Sequence, residues 1–463
     1  MPTQNTTQCV IFPDLFDKPT QFVFDEPAVT SDAGAVFLRA ADKRLRLLDR
    51  LAATVDDNRD GDRVVHELRT MLAQRVNAIA CGYPDTNDAA RLADDPVHRM
   101  LVHGNPRVGE DDVLASQPTL SRFENAVGSR DMFRLGGALA DAVVARHKKR
   151  LGRGVRRITI DLDHTDDPTH GQQEFAFYHG HYHTWCYLPM LGFISFDDED
   201  DQYLFTAVLR PGDASAKKNT RSILRQILRR CRRAFPKAEF YVRLDGGFAS
   251  PEVFEYLDRQ GDVKYAVGMA ENAVLTRYAE RRMTTARAIS EDTGATAHVY
   301  GERQYRAGTW RRPRRVIIKA EVARNIDGEA KDNPRFVITN MTQSARWVYE
   351  DFYCRRGAIE NRIKELQIGM AMDRTSSHRF WTNQFRVLMT AAAYVLMQEI
   401  RLQACGTFAR AQVWTIRDHL LKIGSRMVAT VRRFCFHLPI SYPYVDEWRR
   451  LALAFGATTP RRT

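Results

Sequence analysis

Long apolar runs are missing from this 463-residue sequence: none reaches eighteen residues, so no segment reads as a membrane-spanning helix. The first ten residues, MPTQNTTQCV, carry neither the basic nor the apolar part of a secretory signal, and the two absences together predict a cytoplasmic protein. Cysteine is sparse and scattered. Its seven copies, at positions 9, 81, 186, 231, 354, 405 and 435, never fall as CxxC, which argues against a zinc ribbon and for reduced thiols over a disulfide framework. Neither G-x-x-x-x-G-K-S/T nor G-x-G-x-x-G occurs, so a P-loop and a dinucleotide site are unsupported. No internal repeat is found.

Positive charge is what the sequence has in excess. Lys and Arg number 69 against 57 Asp and Glu, a formal net charge of +12, and such a surplus favours phosphate polyanions, nucleic acid first. Residues 401–463 carry eleven Lys or Arg against Asp418, Asp446 and Glu447. The length and an apolar fraction of 44% predict two to four structural units around at least one large core.

Between residues 32 and 150, apolar positions such as Leu45, Leu48, Leu51 and later Leu68, Leu72, Val76, Ile79 recur near the 3.6 period and predict helices. Pro118 and Thr119 open another over residues 116–127, a core helix or one that faces DNA. At Arg156 the period changes to two: Ile158, Ile160 and Leu162 alternate with Thr159, Asp161 and Asp163, a strand with one acidic face. Strand-like runs at 175–195 and 203–209 flank an acidic turn at 196–202. A basic amphipathic helix over 214–235 precedes a β-α-β pattern over 239–244, 251–258 and 263–268. Residues 271–334 are irregular, Arg-rich and strand-bearing, and read as an insertion. A short strand at 336–339 and long helices over 344–367 and 380–402 follow.

Four carboxylates, Asp161, Asp163, Asp166 and Asp167, crowd into seven residues of this basic chain. Two like charges about 4 Å apart repel by roughly 4 kcal/mol near a protein surface, so the group needs a cation, a proton or open solvent. Asp163 closes the strand ITIDLD and Asp245 closes EFYVRL, and ligands gather at the carboxyl ends of strands in open α/β sheets. Asp161 lies on the same face, roughly 6.6 Å further back, and is the alternative first position. Asp166 and Asp167 read as a more solvated turn. In YCRRGAIENRIKELQ, Tyr353, Arg356, Glu360, Lys364 and Gln367 share one predicted helix face, opposite the apolar stripe of Phe352, Ile359, Ile363 and Leu366. Taken by itself, that polar row also reads as a solvated ion-pair ladder.

Tyr353, Arg356 and Glu360 match the Tyr-x2-Arg-x3-Glu part of the Tyr-Arg-Glu-Lys signature, and here the chain resembles the DDE transposases of bacterial insertion sequences, in the insertion-sequence 4 group. Within that group it looks most like the insertion-sequence 1380 family. The further stretches that carry the likeness are DEPAVTSDAGA, ACGYPDTNDAARLADDP, LASQPTLSRFEN, DLDHTDDPTHGQQ, LDGGFASPEVFEYL and ENRIKELQIGMAMDRTSSHRFWTNQFR. The resemblance implies an α/β fold: a ribonuclease H-like mixed sheet with a β-rich insertion, flanked by helical N-terminal and C-terminal regions. The expected map is a DNA-binding region at 1–150, a catalytic domain at 151–270 and 335–400, an insertion subdomain at 271–334, and a basic helical region at 401–463. By analogy Asp163, Asp245 and Glu360 form the triad. Tyr353, Arg356 and Lys364 contact DNA, Arg356 by bidentate phosphate binding. The signature lysine is replaced by Gln367.

Three carboxylates from separate elements suit a pair of Mg2+ ions, replaceable by Mn2+, which can activate a water or 3′-hydroxyl and stabilise the leaving oxygen. The expected activity is nicking and strand transfer of double-stranded DNA at terminal inverted repeats and target sites. The protein would be nucleoid-associated, without a membrane partner, and a homodimer would suit two transposon ends. The insertion is expected over the active site, with Trp310 stacking on a flipped base. Three other readings stand beside this one: a non-catalytic DNA-binding descendant, a metal nuclease that does not join ends, and a zinc or iron site on His179, His181 and His183, which an extended chain would place on one face.

Overall fold

The computed structural model describes residues 9–23, 25–26, 28–105, 113–325 and 328–459. An antiparallel hairpin, β1 (Cys9–Phe12) and β2 (Thr20–Val23), and the short β3 (Val29–Thr30) precede a helical region. That region comprises α1 (Val36–Leu45), α2 (Leu47–Ala52), α3 (Leu68–Ala80), α4 (Ala89–Leu92), α5 (Pro96–His103), α6 (Gln117–Asn125) and α7 (Ser129–Leu151). The periodic leucines Leu45, Leu48, Leu51 and Leu72, with Val76 and Ile79, all enter the main core, as do Leu120 and Phe123 of α6.

The next section builds a mixed α/β body. Strands β4 (Arg157–His164), β5 (Asp167–Pro168), β6 (Phe177–His179), β7 (Thr184–Tyr187), β8 (Met190–Phe196) and β9 (Tyr203–Val208) lead to α8 (Thr220–Ala234). After α8 come β10 (Glu239–Leu244), α9 (Pro251–Asp258) and β11 (Val263–Met269). Residues 271–334 then supply α10 (Ala273–Thr293), β12 (Ala297–Tyr305), β13 (Arg314–Arg324) and β14 (Ala330–Asp332), before β15 (Arg335–Thr339). The large sheet has the order β12-β13-β15-β11-β10-β4-β8-β9, with β14 paired to β13. Strands β4, β10 and β11 run parallel and the other pairs are antiparallel. Crossovers carrying α8 and α9 allow this, because parallel neighbours cannot be joined by a tight turn.

Two features of residues 271–334 differ from the sequence reading. Helix α10 was hidden by its Arg- and Thr-rich composition, yet Asn272 caps it at Val274 and Leu275 and its buried face is Leu275, Ala279, Met283, Ala286 and Ser290. The β12–β13 hairpin lengthens the large sheet through β15. Trp310 is buried, 5.1 Å from the Phe254 ring and 5.3 Å from Tyr305 with the Arg314 guanidinium over it, so it is core and offers no face to a base.

Helical winding resumes at α11 (Ala345–Trp347) and continues through a π segment Val348–Tyr353, a 3-10 turn Cys354–Gly357, α12 (Ala358–Lys364) and a second π segment Glu365–Gly369. The single regular helix expected over 344–367 is therefore replaced by one whose pitch changes repeatedly. A side chain intrudes where it does so: Arg243 donates to the Phe352 carbonyl at 3.1 Å. Further on, the buried Glu365 accepts from Arg362, Arg401 and Tyr394, which fixes the second π segment against the following helix.

That helix, α13 (Phe380–Gln403), is buried along its length. Its glutamines satisfy the exposed edge of β9: Gln398 accepts from Leu204 N–H at 3.0 Å and Gln384 from Leu209 N–H at 2.6 Å. The chain ends with α14 (Val413–Ile416), β16 (Ser425–Ala429), β17 (Phe434–His437) and α15 (Val445–Ala454). The C-terminal region is thus not purely helical. Met427 and Val428 pair with Phe436 and Cys435 across a turn closed between Thr430 and Arg433, and β16 also pairs with β3. Arg461 and Arg462 lie outside the described residues. No helix among the described residues is long and apolar enough to cross a membrane.

Beside β3, the fully buried Asp32 meets His98 Nε2 at 3.0 Å and Lys422 Nζ at 2.8 Å, with Cys81 in the same cluster. This network ties the first strands, the ends of α3 and α5, and the C-terminal region together.

Candidate active site

Register brings the two strand-end aspartates together. Because β10 runs parallel to β4 with Arg243 opposite Asp161, the residues two further on, Asp245 and Asp163, leave the sheet side by side. Ligand atoms of Asp163, Asp245 and His164 all lie within 4.8 Å of one another. Asp245 also caps the turn Gly246–Phe248, accepting from Gly247 N–H at 2.9 Å.

Asp161 and Asp163, indistinguishable by periodicity, have different surroundings. Asp161 is wholly buried and forked to Arg243, Nε to Oδ1 at 2.7 Å and Nη2 to Oδ2 at 2.6 Å, with Gln202 donating to Oδ2 at 2.8 Å. Its oxygens are committed to the interior. Asp163 accepts from its neighbour His164 N–H at 3.0 Å and from Arg356 Nη1 at 2.7 Å. Burial lifts the Asp163 carboxyl to about 6; the charge of Asp245 adds to the rise and Arg356 opposes it.

The other acids of the cluster resolve separately. Asp167 is not in a solvated turn: it is buried in β5, its two oxygens accept from the Thr375 hydroxyl at 3.1 and 2.9 Å, and burial with the charges of Asp373 and Asp166 raises it to about 7. Asp166 stays partly exposed, and its carbonyl accepts from Gln367.

The Tyr353 to Gln367 segment reaches this strand end at two points. Arg356 holds Asp163, and Gln367 Nε2 donates to the Thr165 hydroxyl and the Asp166 carbonyl, both at 2.9 Å. At the signature lysine's position, then, stands an amide that braces the loop after β4. Glu360 lies between those anchors in α12, four residues after Arg356 and seven before Gln367. Its side chain is exposed and does not join Asp163 and Asp245 within 4.8 Å. Lys364 is exposed and, among the described residues, without a polar partner. Tyr353 sits over β11: a Cβ on Gly268 would lie 2.5 Å from its hydroxyl and 2.8 Å from Gly246 N, so only glycine fits there. Burial raises the Tyr353 hydroxyl above its ordinary value, and Asp245 adds to this.

A hairpin missed by sequence reasoning overhangs the same place. Strands β6 and β7 are joined by a turn at 180–183, closed by His183 N–H donating to His179 carbonyl at 2.9 Å, with His183 at φ 54°. The three histidines therefore do not share the face of an extended strand, and among the described residues they form no ligand cluster. Tyr182 at the tip is raised to about 12 by burial and by the charges of Asp166, Asp163 and Asp245, which places it by those acids. The signal available for this hairpin was Gly180 between aromatic and β-branched runs.

The donor set fits a hard divalent cation. Asp163 and Asp245 contribute two carboxylates, of which only Asp163 is ion-paired, to Arg356, and carboxylate oxygens at this separation suit such an ion.

No curated protein matches the chain. A solved structure, titled a cryo-EM structure of piggyBac transposase synaptic complex with hairpin DNA, is similar over 79% of this chain and 74% of its own, at 9% identity and a TM-score of 0.39, a likeness too weak to argue from. The family model described as Transposase DDE domain group 1 matches residues 12–457. With that match over nearly its whole length, the chain belongs to the DDE transposases, a family of DNA transposition and recombination.

Proposed function

We propose that this protein is an Mg2+-dependent cut-and-paste transposase of a bacterial insertion sequence, in the insertion-sequence 1380 family of the insertion-sequence 4 group. It nicks double-stranded DNA at terminal inverted repeats and joins the freed ends to target DNA. The observation that carries the reading is the pairing of Asp163 with Asp245 at adjacent parallel strand ends, held by Arg356 from the segment that bears Glu360. The body around it, residues 151–270 and 335–400, is read as a ribonuclease H-like catalytic domain with residues 271–334 as its insertion. Residues 1–150 and 401–463 are read as DNA-recognition regions, and a homodimer on the nucleoid as the working form.

In this account Asp163 and Asp245, joined by Glu360, would hold two divalent ions. Such ions, when bound, activate the attacking oxygen and stabilise the leaving one in an in-line phosphoryl transfer. Arg356 orients Asp163 and has guanidinium nitrogens left for a phosphate; Tyr353 and Lys364 flank the same DNA strand. Glu360 needs a shift of its helix to close on the pair, and DNA docking against Arg356 and Lys364 provides it. Next to Asp245, the exposed Lys217, Lys218, Arg221 and Arg225 form a basic track. It joins the site through Ala216, whose Cβ stands 3.1 Å from where Gly247 would carry one.

A second reading, a DNA-binding descendant without activity, is favoured by Gln367 in place of lysine and by the distance of Glu360. Both are tested with a labelled fragment ending in the inverted repeat, incubated with Mg2+ or EDTA and run on a denaturing gel. Mg2+-dependent nicks and joined products, absent from Glu360→Gln, support the transposase. Binding without cleavage in any divalent metal supports the second reading, and nicks without joined products indicate a nuclease.

A further inference from the structure

We propose that His164 is a nitrogen ligand to the cation held by Asp163 and Asp245, so that the centre is a mixed carboxylate–imidazole site that prefers Mn2+ to Mg2+. The inference deepens the metal-site reading above and rests on it.

Three observations place the imidazole there. A ring nitrogen of His164 and a carboxylate oxygen from each aspartate all lie within 4.8 Å of one another, close enough to share one ion. The Nδ1 atom is buried and has no hydrogen-bond partner, although it stands only 4.0 Å from Asp163 Oδ1. Buried polar atoms are almost always paired, so an orphan beside two carboxylates needs a partner the protein does not supply. Lastly, the ring is wedged in place: Phe248, fully buried in the turn that Asp245 caps, meets it edge-on at 5.9 Å. His164 is thereby fixed to both strand ends at once, as a ligand must be.

His98 shows the contrast, because its Nε2 is satisfied by Asp32 at 3.0 Å. A core histidine of that kind has its partner within the protein; His164 Nδ1 does not. An imidazole among oxygen donors also shifts metal preference: Mg2+ takes oxygen ligands and keeps its waters, whereas Mn2+, the first of the transition ions that increasingly accept nitrogen, loses less by taking one imidazole.

Mn2+ is the probe, with DNA-free full-length protein. Pulsed EPR of the bound ion reads nitrogen coupling directly, and a Mn2+ titration reads affinity. The expected result is a 14N coupling in wild type that changes to 15N when histidine is isotopically labelled and is lost in His164→Gln. Mn2+ affinity should fall at least about tenfold in that variant, with a smaller change for Mg2+. The isotope exchange needs no mutation, so a variant that folds poorly leaves the test standing, and His179→Gln controls for the neighbouring hairpin. Bound Mn2+ without nitrogen coupling in wild type, or coupling unchanged in His164→Gln, overturns the proposal while leaving the aspartate site intact. Absence of Mn2+ binding, or binding unaltered in Asp163→Asn, overturns the metal-site reading itself.

Discussion

Two clusters of this molecule, one wholly buried and one half-buried, have nearly the same composition and different electrostatics. Asp32, Cys81 and His98 group three metal-capable side chains, as do Asp163, His164 and Asp245. In the first, Lys422 stands 2.8 Å from Asp32 and His98 occupies the other oxygen, so one carboxylate is answered from within the protein. Burial keeps the Cys81 thiol far above its ordinary range and therefore protonated. In the second, only Arg356 pairs directly with a carboxylate, Asp163, while the Arg210 guanidinium acts on His164 from further off and the His164 Nδ1 atom has no hydrogen-bond partner. The difference teaches that residue type marks a candidate site and the charge balance separates candidates: a cluster whose carboxylate is paired from within is a structural clamp, and one with a carboxylate left unpaired is the better candidate for a cation.

The largest expected effect sharpens the second half of that comparison. Asp245→Asn or Glu360→Gln should lower Mg2+-dependent nicking by about a thousandfold or more with little change in DNA affinity, read by gel and by filter binding. The first half breaks if Lys422 is dispensable. Lys422→Met strands Asp32 in the interior and should cost about 3–5 kcal/mol in thermal or denaturant unfolding, most of it recovered in the Asp32→Asn, Lys422→Met double variant.

Asp167 offers a third contrast, a buried acid with neither cation nor imidazole. Its carboxyl is raised from 3.8 to about 7 in the fold, so the native state binds the proton more tightly than the unfolded chain does. Its protonated form favours folding fully below about pH 4, and that contribution is lost as pH rises through 7. Asp167→Asn should therefore stabilise the protein by about 2–4 kcal/mol at pH 8 and by little at pH 4, seen as a pH-dependent shift in Tm. The smallest effect concerns Asp163, lifted to about 6 in the metal-free site: at sub-saturating Mg2+, nicking should fall below that pH because proton and metal compete for the carboxylate, and raising Mg2+ should move the fall to lower pH.

Much of the framework was legible locally. The period-two stretch at Ile158–Asp163 is a strand, Pro251–Asp258 is a helix capped by Ser250, and DGG after EFYVRL marks a strand end, because alternation, capping and glycine act within a few residues. What was illegible depends on distant partners. Asp161 and Asp163 share a face, and the residue that separates them, Arg243, lies 82 positions away in sequence. Helix α10 is masked by its Arg- and Thr-rich composition and by a buried face of mostly small side chains, and Trp310, expected to stack on a base, is instead enclosed by Phe254 and Tyr305. The alternation of His179, His181 and His183 suggested a strand, whereas Gly180 sits in a turn. The pitch changes on either side of Glu360 likewise depend on distant partners, Arg243 at the Phe352 carbonyl and Tyr394 and Arg401 at Glu365.

The central claim, that the cation seat lies at the ends of β4 and β10 and not at Asp32, is tested most directly by Fe2+ and ascorbate cleavage of the polypeptide. Hydroxyl radicals formed at the bound iron cut the nearby backbone, and the fragments are mapped by mass spectrometry. The account predicts cuts around residues 163–165 and 245–247, suppressed by excess Mn2+ and absent in Asp163→Asn. Cuts clustered around residues 32, 81 and 98, with none at the two strand ends, would contradict it.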